Sequence, residues 1–113
     1  MLTLDALKEL GADTEDGLKR CMGNEDFYLK LVEMALKDDS YERLRTSIEN
    51  GNLDEAFERA HALKGVLGNV SLVSLAAPVI EITEDLRARK EMDYTPYLER
   101  IFTELGKLRA LLD

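Results

Sequence analysis

His61 is the only histidine in the chain, and it lies within Ala60-His61-Ala62-Leu63-Lys64-Gly65-Val66-Leu67-Gly68-Asn69-Val70. An imidazole can serve as nucleophile, general base or metal ligand, and its setting decides which. Leu53, Ala56, Ala60, Leu63, Leu67 and Val70 recur at alternating intervals of three and four, the period of one apolar helix face. At about 100° per residue, His61 falls roughly 120° from the middle of that stripe. Lys64, Gly65 and Gly68 follow it at i+3, i+4 and i+7 and share its side. The imidazole is therefore expected outside the core. Each glycine costs about 1 kcal/mol relative to alanine inside a helix. The alternative is a helix ending near Gly65, with Gly68-Asn69 as its cap. Because Leu63, Leu67 and Val70 carry the period through both glycines, the pattern favours one continuous helix with bulk cleared from around the imidazole.

Other chemistries of a histidine fit less well. A di-metal site inside a helical bundle needs Glu-x-x-His on two facing helices, and Glu58-x-x-His61 occurs once. A histidine-dependent catalytic triad would have His61 alone to draw on. Gly65 and Gly68 are not followed by the Gly-Lys-Ser/Thr of a phosphate loop. The expectation is no bound metal and no cofactor.

The elements that must position His61 are helical throughout. With 113 residues, 45% of them hydrophobic and 34% charged, the chain reads as one domain, residues 1–113, able to bury a real core. A net charge of −8 argues against a nucleic-acid partner. The single cysteine, Cys21, excludes an internal disulfide framework and reads as a small buried hydrophobe. No apolar run approaches the ~18 residues of a membrane span, and the first residues lack a signal-peptide pattern. A cytoplasmic monomer is expected.

Two short helices are predicted first, over Leu2 to Leu10 and from Asp13 or Thr14 to Met22, stopped by Gly11 and Gly23. Asn24 caps the next helix, whose buried face is read as Phe27, Leu31 and Met34. Tyr41, Leu44 and Ile48 resume the pattern after a polar break at 37–40, leaving open whether residues 25–50 are one kinked helix or two. Asn52 caps the histidine helix, with Glu55 placed to reach back. The connection at Gly51 makes the helices on either side antiparallel neighbours. After a loop at 71–74, Ser74 is expected to cap a helix carrying Leu75, Val79, Ile82 and Leu86, with Pro78 in or near its first turn. Thr95-Pro96 marks the start of the last helix, seamed by Leu98, Ile101, Leu105, Leu108 and Leu112. The predicted fold is an all-α, antiparallel up-down four-helix bundle with the short N-terminal helices packed across one end.

His61-x-Leu63-Lys64-Gly65, with the small Gly68 and then Asn69-Val70, resembles the motif of the histidine-containing phosphotransfer (HPt) domain. The resemblance extends over nearly the whole chain, because such domains are helical bundles of this length with the histidine on a central helix. It departs at Ser71, where the family usually has glycine, and at Val66-Leu67, bulkier than the usual pair. The resemblance implies a phosphoprotein of two-component signalling rather than an enzyme. His61 would accept a phosphoryl group on Nε2 and donate it to aspartates of receiver domains, belonging to a response regulator or a hybrid sensor kinase. The receiver would bring the Mg²⁺ and most of the catalysis. A neutral imidazole keeps a ring nitrogen with a free lone pair, the nucleophile such a transfer needs. Lys64 would offset phosphate charge, and Gly65 and Gly68 would give the partner clearance. The family's usual Gln or Glu that orients the ring aligns with Thr83, which leaves Thr83, Glu84 and Arg87 as orienting candidates, with Glu81 or a water as substitutes. The competing expectation is an interaction module that binds a receiver or kinase without turning over phosphate, a reading suggested by Ser71 and Thr83.

Overall fold

The computed structural model describes all 113 residues, and its regular structure is entirely helical. The helices are α1 (Leu4–Glu9), α2 (Thr14–Arg20), α3 (Glu25–Lys37), α4 (Ser40–Glu49), α5 (Leu53–Asn69), α6 (Val73–Arg87) and α7 (Thr95–Arg109), closed by a 3₁₀ turn at Ala110–Leu112. Side-chain caps start the early ones. Thr3, Asp13, Asn24 and Asn52 each accept a hydrogen bond from the backbone N–H three residues on. At α5 the Asn52 amide also donates to Glu55 Oε2, so the reciprocal bond runs between side chains.

Residues 25–50 form two helices, broken at Asp38-Asp39. Arg109, at the end of α7, holds the break. Its Nε donates to the Leu36 carbonyl at 2.8 Å, its Nη1 to Glu42 at 2.8 Å, and its guanidinium lies 5.4 Å from the centre of the Tyr41 ring. The end of α3 thus finds a partner for a carbonyl the helix cannot satisfy itself. The same guanidinium holds the Glu42 carboxyl below its ordinary range, the hydrogen bond being the largest cause.

One cluster of 25 buried residues runs through the molecule. In α5 it takes Ala56, Ala60, Leu63 and Leu67, all without exposure, against α4 and α6. In α7 it takes Leu98, Ile101, Leu105 and Leu108, whereas Leu112 is only partly buried.

Two expectations about these elements are overturned. The inner face of α3 is Tyr28, Val32, Ala35 and Leu36, while Phe27 and Met34 are 49% and 60% exposed. Tyr28 decides this orientation: its ring packs where Gly17 leaves room, and its hydroxyl donates to the Val70 carbonyl at 2.8 Å. Burial pushes that phenol up to about 12. The second correction concerns α6, which starts at Val73 with Leu72 as its cap, so Ser74 lies inside the helix and Pro78 occurs in its interior rather than its first turn. The earlier start follows from a tight turn: Ser71 takes φ 55°, and the Leu72 N–H donates to the Leu67 carbonyl.

That turn is fastened to the N-terminal helices. Asp13 N–H donates to the Ser71 carbonyl at 2.9 Å, and Ser71 Oγ donates to Asp16 at 2.5 Å. The left-handed conformation costs a non-glycine residue roughly 1–2 kcal/mol, and the charge-assisted hydrogen bond offsets part of it. The Asp16 carboxyl is lowered by the Ser71 bond first and Arg20 second.

Candidate functional site

α5 runs unbroken through Gly65 and Gly68 to Asn69, so neither glycine ends the helix. His61, Gly65 and Gly68 are all exposed, on the side away from Ala60, Leu63 and Leu67. A Cβ added at Gly65 or Gly68 would meet nothing within 4 Å. Close packing therefore does not explain either glycine. Lys64 is half-buried and makes no ion pair, unlike Arg59, Arg87 and Arg89 nearby. An imidazole and an unpaired ammonium thus flank a bare strip of backbone.

The imidazole makes no hydrogen bond, and an aromatic contact holds it instead. Phe57, one turn earlier on α5, stacks on His61 with ring centroids 5.5 Å apart and planes 30° apart. Two guanidinium groups from the end of α6 lie over the same Phe57 ring, Arg87 at 5.0 Å and Arg89 at 4.8 Å from its centre. Arg89 is tied down further: Nε donates to Asp54 at 2.7 Å and Nη1 to the Leu86 carbonyl at 2.7 Å. It also takes a left-handed backbone, φ 52°, just past the helix end.

The orienting candidates are distributed differently from expectation. Thr83 is fully buried, and its hydroxyl donates to the Val79 carbonyl at 2.6 Å, one turn back on its own helix. It offers His61 no hydrogen bond. Glu84 is exposed and lies 3.4 Å from Arg87. Glu81 is engaged by both Arg100 nitrogens, at 3.1 and 2.9 Å. Of these candidates only Arg87 reaches the neighbourhood of the ring, through its contact with Phe57. The i, i+4 spacing of Phe57 and His61 was the available signal for this contact; the arrival of Arg87 and Arg89 above it depends on how α6 lies on α5.

No group of three or more His, Cys, Asp or Glu side chains stands where it could hold a metal ion, and no helix is long and apolar enough to cross a membrane. Comparison with family models matches residues 31–113 to the Hpt domain. The chain belongs to the Hpt domain family. Hpt domains are phosphocarrier modules of two-component signalling, and they interact with receiver domains. Comparison with curated proteins and with solved structures returns no match. Against the Hpt motif, the departure at Ser71 has a physical account, since glycine occupies a left-handed position without strain and here a serine is held there by Asp16.

Proposed function

We propose that His61 is the phosphoacceptor, taking a phosphoryl group from an aspartyl phosphate of a receiver domain and passing it to the aspartate of another. The observation that carries this is the exposed imidazole beside an unpaired Lys64, on a helix face that Gly65 and Gly68 leave bare. The Nε2 lone pair attacks phosphorus, the acyl P–O bond breaks, and the receiver's aspartate leaves as a carboxylate. Nδ1 keeps its hydrogen. The Lys64 ammonium offsets the charge that arrives on the ring, and the receiver supplies Mg²⁺ and most of the rate enhancement. Three-residue turns joining α4 to α5 and α5 to α6 support an antiparallel up-down arrangement of the four bundle segments. We take residues 1–113 as one such unit, working as a cytoplasmic monomer with no metal or cofactor of its own.

The test is a relay. Incubated with a phosphorylated receiver, the protein should acquire acid-labile, base-stable label and lose it again to an unphosphorylated second receiver. Binding without labelling would replace this reading with that of an interaction module.

A further inference from the structure

We propose that Phe57 is the positioning residue of the His61 imidazole, holding the ring by stacking in the place where a hydrogen-bond acceptor from α6 is missing. The one α6 hydroxyl expected to serve, Thr83, is buried and spent on Val79. Phe57 contacts His61 through the ring face, at 5.5 Å and 30°. The ring nitrogens lie on the edge, so a stack restrains the plane of the imidazole without consuming either. That suits a ring whose nitrogen must accept and then release a phosphoryl group.

The stack is useful only if Phe57 is itself held, and it is. Arg87 and Arg89 lie over it at 5.0 and 4.8 Å, favourable positions for cations on an aromatic face. Arg89 is anchored in turn by Asp54, one turn before Phe57 on α5, and by the Leu86 carbonyl at the end of α6. The chain of contacts Asp54–Arg89–Phe57–His61 therefore begins and ends on α5 and passes through the residue just beyond the end of α6. It fixes the imidazole relative to both helices that border the bare face.

This inference rests on His61 as the phosphoacceptor, so one arm of its test uses no phosphate. In the free protein the His61 ring C–H resonances should be displaced upfield by the Phe57 ring current. They should stay displaced in Phe57→Tyr and move to ordinary imidazole positions in Phe57→Leu. In the second arm, Phe57→Leu should transfer roughly fivefold more slowly at saturating phosphorylated receiver, the equivalent of about 1 kcal/mol. The receiver concentration giving half-maximal rate should not rise, and Phe57→Tyr should recover the rate. Unmoved resonances in Phe57→Leu, a wild-type rate at saturation, or a defect confined to the half-saturating concentration would overturn the proposal. Should Phe57→Leu fail to fold, the exposed double change Arg87→Gln, Arg89→Gln tests the same chain: the upfield displacement should shrink, and full retention refutes it. Label on His61→Gln would defeat the phosphoacceptor reading, while the resonance arm would still decide the stack.

Discussion

Gly17 in α2 and Gly68 in α5 are both glycines inside helices, yet a Cβ on the first would lie 2.3 Å from the Tyr28 ring, whereas one on the second meets nothing within 4 Å. The first marks a region where packing dictates sequence: Gly17 admits Tyr28, Tyr28 reaches Val70, and Asp16 fastens Ser71. The second marks a region where the fold leaves the side chain free and the helix penalty goes unrecovered. A glycine that stabilises nothing within its own chain is best explained by what approaches from outside.

Adding bulk at each glycine should have opposite consequences. Gly17→Leu should drive Tyr28 off its seat and lower stability by about 3 kcal/mol or more in urea denaturation. Gly68→Gln should leave a folded bundle within about 1 kcal/mol of wild type, because its side chain projects into open space. Its rate of phosphotransfer from a receiver should nevertheless drop about tenfold. Gly65→Ala removes a helix penalty and should raise stability by about 1 kcal/mol. If Gly68→Gln unfolds the protein, the bare strip has a structural role and the contrast fails.

Ser71 sharpens the packed side. Ser71→Ala keeps the left-handed backbone and loses the bond to Asp16, so the urea-denaturation midpoint should fall. Ser71→Gly loses the bond but relieves the backbone and should lie closer to wild type. The smallest effect is on pH dependence. Asp16 is held below its ordinary range in the fold, by Ser71 and then Arg20. The unfolded chain therefore binds more protons in the acid range, so this stabilisation is present above about pH 4 and lost as pH falls through the folded value. Melting curves between pH 6 and 3 should show a shallower acid loss for Ser71→Gly than for wild type, and equal slopes would remove Asp16–Ser71 from the account.

Much of the molecule was legible in the sequence where local chemistry decides it. Asp13, Asn24 and Asn52 cap the helices they precede, and the three-four spacing around Leu63 fixes the outward side of His61. The inner face of α3 was not legible, because Phe27, Leu31 and Met34 form as good a stripe as Tyr28, Val32 and Leu36. What selects between them is distant in sequence: Gly17 leaves room for the Tyr28 ring and the Val70 carbonyl accepts from its hydroxyl. The start of α6 escaped for a similar reason: a serine at φ 55° leaves no local mark, since its support comes from Asp16. At the site, His61, Gly65 and Gly68 are exposed, on the outward side that the spacing gives them. Thr83 was misplaced because α6 buries Val79, Ile82, Thr83 and Leu86 together, which turns the hydroxyl inward.

The most direct test of the account is to locate the phosphoryl group itself. Nitrogen-detected NMR of the imidazole, recorded at neutral pH after exposure to a phosphorylated receiver, should show a new phosphorus coupling at Nε2 of His61, and His61→Gln should take up no label while keeping its helical circular dichroism. Phosphorylation at any other residue, or labelling of His61→Gln at the wild-type rate, would contradict the assignment of His61 as the phosphoacceptor.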